Sequence, residues 1–196
     1  MTEKFILASS SPRRRELLRQ IGLDFDVVPS GVEEDFIDGE NPRDHVQRLA
    51  EVKAHRVGEM YPRRWVIGAD TVVSIDGHIL GKPQTDRESY EMLTLLSGRE
   101  HLVVTGVSVW QGVRDQGKTI AVETSVRFKT LSSQEIKWYI RTGEPFDKAG
   151  GYAIQGRGAF MVQRIEGSYT NVVGLPLCEL MEVLHQMGAM GFSGRS

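Results

Sequence analysis

"FILASSSPRRRELL", residues 5–18, decides how the chain is read. Phe5, Ile6, Leu7 and Ala8 make a short unbroken apolar run, the pattern of a strand buried on both faces. It runs straight into a helix: Ser11 suits the N-cap, Pro12 the first helical position, and Leu17, Leu18 and Ile21 the apolar stripe, with Gly22 as the stop. A strand that ends in small hydroxyl residues and turns into a helix aims unsatisfied backbone N–H groups and the positive end of the helix dipole at one small volume. Arg13 and Arg14 add guanidinium charge there, although the dipole disfavours cations in a first turn. That combination suits a bound phosphate. The competing reading is a solvated basic patch around an ordinary cap, and neither G-x-x-x-x-G-K-[ST] nor G-x-G-x-x-G occurs in the stretch to decide between them.

Working outward, "FDVVPSG" reads as a second strand and "VEEDFIDGENP" as an acidic, turn-rich loop. Asn41, Pro42 and Asp44 announce a helix with an inward stripe of Val46, Leu49, Ala50, Ala54 and Val57, and Lys53 falls on the same face. "WVIGADTVVSI" is an apolar strand interrupted by Asp70, and "IDGHIL" carries an Asp-Gly hairpin signal. Thr85 with Glu88, and Ser132 with Glu135, read as capping boxes opening two further helices. Between those helices lie "HLVVTGVSVW" and "TIAVETSVRF", where Ile120, Val122, Thr124, Val126 and Phe128 alternate with more polar neighbours. "RTGEPFDKAGGYAIQGRG" is a long Gly-rich stretch, "FMVQRI" a last strand, and Pro176 opens a final helix. Interleaved strands and helices with hairpins predict an α/β fold with a mixed sheet.

Composition limits the function classes. With 24 basic and 26 acidic residues among 196, the chain has no global charge to attract nucleic acid, so anion binding must come from local placement. An apolar content of 40% and charged content of 26% fit an ordinary folded domain, which we place over residues 1–189 with a flexible tail at 190–196. No apolar run reaches membrane-spanning length and the N-terminus lacks a secretory pattern, so a cytoplasmic protein without membrane partners is expected. The single cysteine, Cys178, sits among leucines and reads as a buried structural thiol.

Asp70 is the outstanding chemical residue, because an unpaired charge in an apolar strand is costly and belongs at a cleft or against a cation. Glu33 and Glu34 end another strand, and acidic groups on neighbouring strand ends suit Mg²⁺ or Mn²⁺, although alone they read as a solvated loop. Lys53 and Lys82, the latter in "LGKP", are point charges that could reach a polyphosphate, against the plainer readings of a snorkelling and a loop lysine. The five histidines show no metal-ligand spacing and no Ser-His-Asp order stands out.

Taken together, "ILASSSPRRRELL", "VIGADTVV", "LGKP", "LSGREHLVVTGV", "GEPFDKAGGYAIQGRG" and "IEGSYTNVVGLPL" resemble the Maf family of nucleotide pyrophosphatases, over nearly the whole chain. The resemblance implies an elongated mixed sheet flanked by helices, with two lobes around a central cleft, and a homodimer. It implies a divalent-metal-dependent enzyme that cleaves a nucleoside triphosphate to the monophosphate and pyrophosphate. By the same resemblance Asp70 activates water, Glu33 assists with metal or water with Glu34 as its alternative, and Ser9, Arg14, Lys53 and Lys82 line the phosphate path. Arg13, Thr71 and Gln155 fall on the positions that mark the branch acting on dTTP and UTP, and "GADT" stands where the 7-methyl-GTP branch has a "GSDQ"-type block. A glutamine amide offers one acceptor and two donors, which matches the edge shared by uracil and thymine. The resemblance leaves nucleotide-pool cleaning and division control both open as cellular roles. Two rivals accompany it: a regulatory nucleotide binder linked to septum inhibition, without turnover, and a kinase or nucleotidyltransferase that needs an acceptor alcohol.

Overall fold

The structure is a computed structural model that describes residues 4–190. Seven strands form one sheet: β1 (Phe5–Leu7), β2 (Phe25–Val27), β3 (Val66–Ile75), β4 (His78–Leu80), β5 (Glu100–Gln111), β6 (Gln116–Phe128) and β7 (Val162–Glu166). Their order is β2-β1-β3-β5-β6-β7, with β4 added to β3. β1 is parallel to both β2 and β3, whereas every pairing from β3 onward is antiparallel, so the sheet is mixed as its hairpins predict. Among the described residues six α-helices accompany it: α1 (Pro12–Gln20), α2 (Pro42–Met60), α3 (Asp86–Leu96), α4 (Ser133–Ile140), α5 (Tyr169–Val173) and α6 (Leu177–Gln186). None of the described helices is long and apolar enough to cross a membrane.

Local signals start these helices where the residues require. Ser11, Asn41 and Ser132 each cap through a side chain that accepts from the backbone N–H three residues on, and Ser132 with Glu135 closes a full capping box. Thr85 caps α3 in the same way, but the Glu88 carboxylate accepts from the N–H of Gln84, one residue short of the box expected at Thr85. α5 was not among the expected elements; at five residues it is too short for a helical period to show. Cys178 corrects another expectation, because it is exposed on α6 while Leu180, Val183 and Leu184 take the buried face. Of the expected tail, residues 191–196 lie outside the described residues.

Each long strand divides its side chains between two environments. On one face of β3, Val66, Gly68, Asp70 and Val72 look toward α2. On the other, Ile67 and Ala69 join a core with Leu17 and Leu18 of α1 and Leu180 of α6, while Val73 and Ile75 join a second core with Leu93 of α3 and Tyr139 of α4. α2 lies unusually close to the sheet. A Cβ at Gly68 would stand 2.2 Å from the Ala50 carbonyl oxygen and one at Gly106 would stand 2.1 Å from that of Val46. These glycines let the helix approach, and Gly106 is the cross-strand partner of Asp70, which leaves Asp70 room to meet Lys53.

The register also opens a gap. β1 pairs with β3 only at Val66 and Ile67, and β4 pairs with it only from Val73 to Ile75, so the β3 edge from residue 68 to residue 72 has no partner strand on that side among the described residues. The chain leaving β1 becomes the Ser9–Ser11 turn and the chain leaving β4 becomes Gly81–Lys82, so both exits flank the gap. β2 lies on one side of β1 and β3 on the other; ligands in open α/β sheets bind beyond the carboxyl ends of strands at such a reversal.

Candidate active site

A cleft of about 300 Å³ occupies the gap, within the usual size for a small-molecule site. Its charged and polar lining includes the Ser9–Ser11 turn, Arg13, Asp70 and Lys82. Its apolar lining includes Val73, Val103, Val172 and Tyr152. The cleft therefore matches a ligand that carries both anionic and flat or apolar groups.

A four-charge cluster meets its wall. Lys53 is buried, and its Nζ donates to Asp70 Oδ1 at 2.7 Å and to Glu34 Oε1 at 2.6 Å. Lys82 Nζ donates to the second Glu34 oxygen at 2.8 Å. Burial works to raise the Glu34 carboxyl, but the Lys53 and Lys82 ammoniums outweigh it and hold it at about 2. Because that value is depressed, these contacts are fully present above the ordinary 4.5 and are lost only as pH falls toward 2. Asp70 Oδ2 makes no hydrogen bond among the described residues, although the side chain as a whole is buried. One oxygen is thus held by a cation while the other is available to a ligand.

The serine turn forms a second group. Ser9 Oγ accepts from the Ser11 N–H at 3.2 Å, and the N–H groups of Ser10 and Arg13 have no partner among the described residues. These free donors at the start of a nine-residue helix make an anion-binding concavity. Arg14 lies beneath them, buried, with its guanidinium donating to four groups: Gly174 O at 2.8 Å, Ala69 O at 2.8 Å, Ser9 Oγ at 3.2 Å and Thr71 Oγ1 at 3.0 Å. Its donors tie the turn to β3 and to the segment after α5. Arg13 Nη1 reaches Asp147 Oδ2 across the cleft at 3.4 Å, and Asp147 also accepts from Lys148.

The structure brings Ser9, Arg13, Arg14, Asp70, Thr71, Lys82 and Gln155 to the cleft wall, with Lys53 behind Asp70. Thr71 Oγ1 is occupied by Arg14 and lies 3.0 Å from Thr105 Oγ1, so it stands at the cleft floor. Gln155 is half-buried, and its amide makes no hydrogen bond among the described residues, leaving it free to pair with a ligand. Glu33 is the exception. It is exposed and does not line the cleft; the carboxylate that meets the lysines is Glu34. Asp147, Lys148 and Tyr152 also line the cleft without having been singled out; they lie in the quoted Gly-rich block, whose spacing carries no period.

Among the described residues no group of three or more His, Cys, Asp or Glu side chains could hold a metal ion by itself. Glu34 and Asp70 nevertheless converge on one ammonium, and two carboxylates completed by substrate phosphates and water are the donor set that Mg²⁺ or Mn²⁺ takes.

The family described as Maf-like protein matches residues 4–187. A Syntrophus aciditrophicus protein named dTTP/UTP pyrophosphatase is 52% identical over 194 residues, covering 99% of this chain and 95% of that protein. A Geotalea uraniireducens protein of the same name is 55% identical over 185 residues, covering 94% of this chain and 95% of that protein. The Staphylococcus aureus Ham1 protein gives a looser structural likeness, with a TM-score of 0.47 at 16% identity over 82% of this chain and 80% of that one.

Proposed function

The chain belongs to the Maf family, and from that premise we propose that it hydrolyses dTTP and UTP to the nucleoside monophosphate and pyrophosphate in the described cleft. The observation that carries this reading is the meeting of Lys53, Lys82, Glu34 and Asp70 at the unpaired edge of β3, beside the serine turn. The triphosphate lies along the charged lining, taking the Ser10 and Arg13 N–H groups and the Arg13 and Lys82 cations. The base lies toward Gln155, whose amide pairs with the N3–H and O4 edge that uracil and thymine share.

Glu34 and Asp70 would hold a divalent cation, which when bound neutralises charge on the phosphates of the substrate. Asp70 accepts a proton from a water molecule through Oδ2 while Lys53 fixes Oδ1 and keeps the carboxylate aimed into the cleft. The water oxygen attacks the α-phosphorus in line with the bridging oxygen, that bond breaks, and pyrophosphate leaves with the electron pair. Lys82 and Arg13 stabilise the charge that develops on it, so most of the acceleration is electrostatic. The same proposal takes the working unit as a cytoplasmic homodimer, on the resemblance alone.

The test is pyrophosphate release from a panel of nucleoside triphosphates with Mg²⁺ or Mn²⁺ and only water as acceptor. We expect dTTP and UTP to yield pyrophosphate and monophosphate in equal amounts, with purine triphosphates slower. Binding of dTTP without pyrophosphate release would support a regulatory nucleotide binder, and turnover only when an alcohol is added would support a transferase.

A further inference from the structure

The loop that carries Glu34 has no regular structure between Val27 and Pro42, and its side chains contribute nothing to the core clusters beyond Val28. Phe36 and Ile37 are exposed there, so burial of apolar surface does not hold it. Beyond Val28, and apart from Lys82 on Glu34, the hydrogen bonds that tie it to the rest of the fold come from one helix. Arg48 of α2 donates from Nε to Glu40 Oε1 at 2.7 Å, and from Nη2 to Glu40 Oε2 at 2.7 Å and to the Asp35 carbonyl at 3.0 Å. His45, one turn earlier, places Nδ1 2.9 Å from Glu40 Oε2 and stacks its ring on Phe36 at 4.7 Å. The fork chiefly, and His45 as well, hold the Glu40 carboxyl at about 2, so the clamp is charged throughout the neutral range.

The clamp grips the residue next to Glu34 and lies outside the cleft, five residues along α2 from Lys53. In the absence of substrate Glu34 is also held by the two lysines. Phosphate oxygens compete for those same ammoniums, so once substrate enters, the lysines hold Glu34 less and the Arg48 fork becomes the anchor of the backbone beside it. We infer that Arg48 is a positioning residue: its fork onto Glu40 and the Asp35 carbonyl keeps Glu34 over the cleft while Lys53 and Lys82 engage the substrate. This inference rests on the function proposed above.

The test compares Arg48→Ala, Arg48→Lys, Glu34→Gln and the Arg48→Ala/Glu34→Gln double variant with the unaltered protein. We expect Arg48→Ala to lower kcat for dTTP about tenfold, the scale at which groups behind a metal ligand act. Arg48→Lys should recover only part, since an ammonium cannot bind both Glu40 oxygens and the Asp35 carbonyl as a fork. The double variant should be no slower than Glu34→Gln, because Arg48 acts through Glu34. Amide hydrogen exchange should quicken in residues 31–40 of Arg48→Ala and not in the β3–β5 pairing, a readout that needs no turnover. Unchanged kcat in Arg48→Ala, or a double variant slower than Glu34→Gln by the full Arg48→Ala factor, would overturn the inference. If Arg48→Ala loosens the whole fold, the comparison of Arg48→Lys with Glu34→Gln decides by the same criteria. Absence of pyrophosphate release from the unaltered protein would instead count against the proposed function, while the exchange result still reports on the clamp.

Discussion

Asp70→Asn will release pyrophosphate from dTTP about 10²–10⁴-fold more slowly than the unaltered protein, the range for loss of a positioned proton acceptor. Asparagine keeps the shape of the side chain and can still accept the Lys53 hydrogen bond through its carbonyl oxygen. It cannot take up a proton from water. Lys53 also keeps Glu34, so the fold should lose little stability and the effect should fall on kcat far more than on KM. A variant that turns over at the unaltered rate with saturating Mg²⁺ would remove Asp70 from the reaction.

Lys53→Met will have the largest effect on stability. Lys53 and Asp70 are both buried, and removing the cation leaves the Asp70 carboxylate without its partner. Breaking a buried pair in this way costs about 3–5 kcal/mol. For a chain of this size a loss of about 3 kcal/mol lowers Tm by roughly 6–12 °C. Replacing both partners, as Lys53→Met with Asp70→Leu, should restore much of that stability, because the uncompensated charge is gone. The double variant should remain inactive. Recovery of Tm without recovery of turnover separates the structural share of the pair from its chemical share; a Lys53→Met protein as stable as the original would show that Asp70 is solvated well enough to stand alone.

The parts of this picture that were legible in the sequence depend on neighbours along the chain. Ser11, Asn41 and Ser132 cap helices because the groups they satisfy lie three residues away. Asp70 stood out because its strand is otherwise apolar, and Lys53 because it falls on an apolar stripe; the structure joins these two anomalies in one ion pair. The gap between β1 and β4 on the β3 edge was not legible, since it arises from the register of strands distant in sequence. The same limit applies to Arg14. Its place in the first turn of α1 suggested a phosphate contact, whereas its guanidinium turns inward to Ala69, Thr71 and Gly174, up to 160 residues away. The choice of Glu34 over Glu33 depends on which way an irregular loop faces, and no periodicity governs that. Arg48 could have been noticed only as a cation on α2 near an acidic loop.

Electron paramagnetic resonance of Mn²⁺ bound with a dTTP analogue carrying an uncleavable imido bridge between the α and β phosphates tests the central claim most directly. Binding is read from loss of the free-ion signal, with no turnover required. The protein should bind Mn²⁺ together with the analogue, and Glu34→Gln/Asp70→Asn should weaken that binding at least about tenfold, since losing ligands costs no less than losing the groups behind them. Equal Mn²⁺ affinity in the two proteins would contradict the assignment of these carboxylates to the substrate-bound cation.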